Sequence, residues 1–451
     1  MADFATSGKE KSLDAFLAAL DASGQEMHTL MLLRHGEVAL AAEWSPYRLD
    51  DRQLLFSISK SFTSIAVGLA IDAGLLSLDD PVLAFFEPPE KVGDNLAAMR
   101  IWHLLTMTTG HDEDTIGRIH GDNAVRAFLA LDVEHEPGSH FVYNTGATYV
   151  LSAILQKVTG ESLLSYLWPR LLQPLQATEA TWEVLDGIVA GGFGLSVRTE
   201  TVARFGQLLL RRGQWRDQQL VPAEWIDAAT AKQVPTLNRE PGDWQQGYGF
   251  QFWRCRHGAY RGDGAFGQFC VVFPDHDAVL AITGGGENMQ QTLDIVWQYL
   301  LPALQGDEVL SLQRLEIRPP AGPPPRPGDG RTYDFVENDA FLRSIRLDPD
   351  GSGTFTFAAN GATNEVVFRA GGWREAVDPL DWRPIEGDSS DPANRLVTSA
   401  YGDGDSFVAT MRPLSTPFVY TFVCRAAGDR MVVDVRVNVS FGPTEFTLTS
   451  S

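Results

Sequence analysis

Lysine is scarce in this chain: it occupies positions 9, 11, 60, 91, 157 and 232, and arginine supplies the rest of the 36 basic residues. Those 36 are outnumbered by 58 Asp and Glu, for a formal net charge of −22. The balance excludes nucleic acid as a partner, because phosphate binding needs a basic surface, and it disfavours an anionic membrane surface for the same reason. Cysteine is scarcer still. Cys255, Cys270 and Cys424 are odd in number and widely spaced, so they form neither a disulfide framework nor a metal-ligand pattern. No apolar run approaches the ~18 residues of a membrane span. The opening MADFATSGKEKSLDAFLAALDASGQ holds no apolar core of signal-peptide length and no small-residue cleavage site. These absences predict free thiols and a cytoplasmic location. Also missing are a Gly-x-Ser-x-Gly elbow, a phosphate loop and a dinucleotide fingerprint, which removes the α/β-hydrolase and nucleotide-binding readings.

What is present is an ordinary globular composition, 44% hydrophobic and 21% charged, over 451 residues, enough for one to three domains. Residues 13–23 have apolar positions at helical spacing, with Ser12 as cap. Residues 28–56 read as two strands around a turn at Gly36. A helix is expected from about Ser57 to Ala73, with Phe62, Ile65, Ala66, Leu69 and Ala73 on one stripe and Gly74 as stop. Residues 75–190 read as mostly helical with loops, and 144–158 and 199–212 are the clearest helices. Strands are expected at 247–254, 265–273 and 278–284, then a final helix at 287–304. Strands at both ends of a helical middle predict an α+β layer structure. Residues 316–330 are dense in Pro and Gly and read as a semi-rigid linker. Beyond it, Asn360-Gly361 signals a hairpin. Val433, Val435, Val437 and Val439 alternate with Asp434, Arg436 and Asn438. Residues 331–451 therefore read as a separate all-β domain, a barrel or sandwich.

Chemistry concentrates at Ser57-Ile58-Ser59-Lys60. On a helix starting at Ser57, Lys60 lies one turn on, on the same face, and an amine held neutral by burial can take the hydroxyl proton. The helix N-terminus adds unpaired N–H groups suited to an oxyanion. Ser-x-x-Lys is a common spacing that carries little weight by itself. Its weight here comes from a lysine appearing where the chain turns apolar, in a sequence that otherwise uses arginine, which cannot deprotonate. Tyr143 is a second proton-handling candidate, although a lone tyrosine at a helix start is more often a packing residue. His103, His111 and His135 are scattered without metal spacing, and Asp79-Asp80 reads as a turn.

FSISKSFTS, IWHLLTMTTGH, EPGSHFVYNTG and GGFGLSVRTETVARFGQLLLRRGQW, in this order and at these separations, resemble the serine β-lactamase and penicillin-binding-protein superfamily. The nearest branch is that of class C β-lactamases, D-alanyl-D-alanine peptidases and the esterases and amide hydrolases built on that fold. The resemblance covers about residues 28–305. It implies an antiparallel sheet flanked by helices with an inserted helical subdomain, Ser57 as acylated nucleophile, and Lys60 and Tyr143 as its partners. The family's Tyr-x-Asn stands here as Tyr143-Asn144-Thr145, so Asn144 or Thr145 would share the substrate-binding amide's task. The family's Lys-Thr-Gly or His-x-Gly aligns with Gly262-Asp263-Gly264, before Ala265. The motif cation is thus missing, with Arg261 or His257 as nearby substitutes, which suits an uncharged ester or amide better than a penicillin carboxylate. The N–H groups of Ser57 and Ala265 would form the oxyanion hole, and Gly264 would let substrate approach the backbone.

The expectation is a catalytic domain at 1–315, a linker at 316–330 and a β domain at 331–451 that either covers the cleft or is passive. The catalytic domain would be a serine hydrolase acting on a small ester, amide, peptide or lactam through a Ser57 acyl-enzyme, without metal or organic cofactor, with self-association left open. The alternative is a non-catalytic binding protein that keeps the penicillin-binding fold with altered second and third motifs.

Overall fold

The computed structural model describes residues 12–119, 123–359, 362–377, 385–387 and 395–451. The Asn360-Gly361 turn and residues 1–11 of the N-terminal segment lie outside them. The strands flanking that turn, Gly353–Ala359 and Ala362–Phe368, pair antiparallel.

The alternating apolar runs near both ends of the first 300 residues fold into one sheet. Its order is Gln313–Glu316, Glu37–Ser45, Met27–Arg34, Ala278–Gly284, Gln268–Phe273, Tyr260–Gly264 and Trp253–Arg254. Every pairing is antiparallel except that of Gln313–Glu316 with Glu37–Ser45. Its central strands are buried on both faces, as expected of a sheet covered by helices on either side. On one face, helix Leu13–Asp21, capped by Ser12, packs with the helical stretch 289–303. On the other lie helix Thr199–Leu210, helix Ile58–Asp72 and the helical middle of the chain.

Two strand expectations need correction. Of 247–254 only Trp253–Arg254 pairs as a strand, because Gly247 and Gln251 adopt positive φ (113° and 68°) and break the extended run. Strand 265–273 begins only at Gln268, since Phe266 (φ 66°) and Gly267 (φ 96°) make the turn that reverses the chain after Gly264.

Helix Ile58–Asp72 is covered nearly all round, as its run of Ser, Thr, Ala, Gly and aliphatic residues allows. It packs against helix Thr145–Thr159 and strand Tyr260–Gly264. Small residues permit these close crossings. A Cβ at Gly68 would lie 2.4 Å from the Trp225 ring, and one at Gly262 would lie 2.7 Å from Ser61 Oγ.

The C-terminal region is all β. Four strands between Thr332 and Phe368 and six between Arg374 and Thr449 form two sheets that share one core of Phe355, Phe357, Phe368, Phe422, Val433 and Val435. The valine alternation in 430–437 turns Val433 and Val435 inward and leaves Arg436 exposed. This region grips the strand that leads into Ser57. Leu54 N–H donates to Ser415 O (2.8 Å), and Gln53 Nε2 donates to Leu414 O (2.7 Å). Arg412 pairs with Glu26 (2.7 Å), which also meets His28 Nε2 (3.1 Å) and the Tyr47 hydroxyl (3.3 Å). Burial alone would raise the Glu26 pKa. The His28 hydrogen bond and the Arg412 charge outweigh burial and hold it at about 2. Residues 385–387 pair with strand Thr181–Leu185, so the helical middle is contacted as well.

Candidate active site

Ser57 caps helix Ile58–Asp72, directly after Phe56, whose φ of 47° is strained for an aromatic residue. That sharp turn aims the Ser57 side chain into a cleft while its neighbours Ile58 and Ser59 point into the core. The first-turn N–H groups of Ile58, Ser59 and Lys60 donate to the carbonyls of Leu55, Phe56 and Ser57 (3.2, 3.1 and 3.0 Å). This corrects the expectation of unpaired donors there: the preceding turn uses them.

Lys60, 1% exposed, extends back to Ser57 Oγ (3.0 Å), Thr145 Oγ1 (3.3 Å) and Gly192 O (2.8 Å). Its pKa is lowered from 10.5 to about 8 by burial, against the opposing charges of Asp114 and Asp263. As an ammonium it satisfies all three acceptors. Once it loses a proton, its lone pair cannot face the Gly192 carbonyl, which only accepts. The lone pair must then turn toward a hydroxyl, and Ser57 offers the shorter contact. Tyr143 lies alongside, its ring centroid 4.8 Å from Lys60 Nζ and stacked on Trp253 at 5.5 Å. Its hydroxyl faces Ser57. Burial, reinforced by the Asp263 charge, pushes its pKa up, so Tyr143 stays a neutral O–H at physiological pH.

Ser57, Tyr143, Thr145, Asp263, Gly264 and Ala265 line one cavity of about 630 Å³. Ala265 sits one residue past the end of its strand, in the turn, rather than within it. Asn144 is elsewhere. Fully buried, its Oδ1 accepts from Ala147 N–H (3.2 Å), Thr115 N–H (3.2 Å) and Thr115 Oγ1 (2.7 Å), so it caps helix Thr145–Thr159 and anchors the 115 loop instead of facing substrate. Arg261 does not replace the missing motif cation. It is buried, and its charge is taken by Asp263 (Nε to Oδ2 2.9 Å). His257 lies against Trp297, away from the cavity. The positive side chain among the described lining residues is Arg239, which has no sequence motif to mark it. Asp114, also unmarked, lines the cavity and accepts from Thr145 N–H (2.7 Å). Asp112 also converges with His135 and His140, which follow it by more than twenty residues and carry no metal-site spacing with it.

Gly264 has a reason nearer than substrate approach. A Cβ there would lie 2.0 Å from the Leu55 carbonyl oxygen, a backbone atom two residues before Ser57. Gly264→Ala is expected to cost about 1–3 kcal/mol of stability, as overpacking does, and to lower activity by displacing the turn that holds Ser57. Urea unfolding with parallel kinetics checks this, and an unchanged midpoint would contradict it.

A model of the Beta-lactamase family matches residues 18–294. The chain is 26% identical over 279 residues to a 6-aminohexanoate-dimer hydrolase of Paenarthrobacter ureafaciens, covering 55% of this chain and 70% of that protein. It is 28% identical over 159 residues to a D-aminopeptidase of Brucella anthropi, a match spanning 32% of this chain and only 30% of the relative. In three dimensions it is similar to an octameric penicillin-binding protein homologue from Pyrococcus abyssi, with a TM-score of 0.53 at 17% identity. That likeness covers 98% of this chain and 100% of the other, so the shared fold takes in the C-terminal β region.

Proposed function

Since the chain belongs to the Beta-lactamase family, we propose that this serine hydrolase cleaves a small amide or ester through an acyl-enzyme on Ser57. The observation that carries the reading is the 3.0 Å contact between Ser57 Oγ and a buried Lys60 whose pKa is lowered to about 8. Ser57 Oγ attacks the carbonyl carbon and gives its proton to neutral Lys60 Nζ. The N–H groups of Ser57 and Ala265 hold the oxyanion. As the tetrahedral intermediate collapses, the bond to the leaving group breaks and that group takes a proton from the Tyr143 hydroxyl or from Lys60. Water, activated by the same pair, then attacks the acyl-enzyme and restores Ser57.

The names of the relatives, a hydrolase of an amino-acid dimer and an aminopeptidase, favour an amide between small units over a lactam. Asp263 takes up the charge of Arg261, so the motif strand itself offers no free cation to a penicillin carboxylate, and Arg239 is the cation that lines the cavity. Hydrolysis of p-nitrophenyl esters and amino-acid p-nitroanilides tests the class. Turnover of neither would refute it.

The C-terminal region acts on this site as a lid. Phe441, 78% exposed, lines the cavity and lies 4.8 Å from Phe266 and 5.8 Å from Phe56, with Phe418 completing the group. Phe441→Ala is expected to shift kcat/KM toward longer acyl chains by about tenfold relative to acetate, the scale of a changed apolar pocket contact, without lowering the melting temperature. An unchanged chain-length profile would make the C-terminal region a passive neighbour.

A further inference from the structure

Two segments form one wall beside the cleft, 107–116 and 133–143. They are laddered backbone to backbone: His135 N–H donates to Gly110 O (2.9 Å), Gly138 N–H to Thr108 O (2.7 Å) and Val142 N–H to Met107 O (2.9 Å). Contact is as tight as a backbone allows, since a Cβ at Gly110 (φ 92°) would lie 2.2 Å from His135 O. The side chains at this junction are therefore carried on a rigid frame.

Three metal-ligating groups meet there. Asp112, His135 and His140 each place one ligand atom within 4.8 Å of the others. His135 Nε2 lies 2.6 Å from Asp112 Oδ1, and the two imidazoles stand edge to face with centroids 4.4 Å apart. An ion pair between Asp112 and His135 needs no second imidazole. His35 and Asp277 (3.0 Å) make the same kind of exposed pair without one. Two imidazoles and a carboxylate, with solvent free to fill the remaining positions, are the donor set of zinc and its neighbours rather than of magnesium or calcium. Exposure of Asp112 and His135 gives an ion direct access, and the net charge of −22 draws cations to the surface.

We propose that Asp112, His135 and His140 bind a divalent transition-metal ion of the zinc class, separate from the acyl-transfer centre. The ion clamps the two wall segments together. Asp112 is two residues from Asp114, which lines the cavity and accepts from Thr145 N–H, and His140 is three residues from Tyr143. Metal binding thus stiffens one side of the cleft without touching the reacting atoms.

The test is a titration of the EDTA-treated full chain with zinc chloride against a chromophoric zinc chelator, together with thermal unfolding. Wild type is expected to bind one zinc per chain at micromolar or tighter affinity, to melt higher with zinc, and to ignore magnesium. His135→Ala at an exposed position and His140→Gln at a half-buried one should each weaken zinc binding by at least about tenfold and abolish the zinc-dependent rise in melting temperature. His35→Ala should change neither. The proposal is overturned if wild type fails to compete for zinc, or if the His135 and His140 variants bind as wild type does.

Discussion

Ser57→Ala is expected to fold normally and to lose turnover by roughly 10⁴- to 10⁶-fold, the scale seen when a catalytic serine is removed. The change deletes one oxygen at the cap of helix Ile58–Asp72. That oxygen makes no cap hydrogen bond, so the helix keeps its support from the turn at Leu55 and Phe56. Thermal unfolding should therefore match wild type while the ester and anilide assays fall to background. What remains is binding and oxyanion stabilisation without a nucleophile. Substantial activity in this variant would move the chemistry away from Ser57 altogether.

Lys60→Arg should follow closely, with kcat/KM reduced about 10²- to 10⁴-fold, the usual yield of general base catalysis. Charge and length are largely retained, but a guanidinium does not deprotonate and so has no lone pair for the serine proton. The wild-type pH profile carries the matching signature. The active form has neutral Lys60, so kcat/KM should fall tenfold per pH unit below about 8 and level off above it. In Lys60→Arg that inflection disappears. Tyr143 does not produce it, because burial keeps its hydroxyl protonated through this range. A wild-type profile flat from about pH 6 to 9, roughly the span over which a base near 8 titrates, would contradict the assignment of Lys60 as base.

Local periodicity made much of the frame legible. The hairpin at Gly36 and the inward-facing Val433 and Val435 are found on their elements, whereas the helix after Ser57 is buried nearly all round instead of along the one stripe expected, with Leu69 half-buried and Ala73 exposed. Ser57, Lys60 and Tyr143 were legible because ordered motifs carry them. Other features depend on contacts distant in sequence. Asn144 reads as a substrate amide beside Tyr143, yet its orientation is set by Thr115, 29 residues away. Arg239 and Asp114 reach the cavity from loops with no pattern of their own. Phe56 and Phe266 bracket the site in positive-φ conformations that aromatic residues rarely adopt, and they pack edge to face at 5.4 Å. Local propensity argues against such geometry, so only the assembled fold reveals it. The Asp112, His135 and His140 cluster was hidden for a similar reason, since 23 residues separate Asp112 from His135.

The most direct test of the central claim is intact-mass analysis of the protein quenched during turnover of a slow p-nitrophenyl ester, followed by peptide mapping. A mass increase equal to one acyl group, located on Ser57 and absent from Ser57→Ala, is the predicted result. Turnover with no adduct on Ser57, or an equal adduct in the alanine variant, would contradict it.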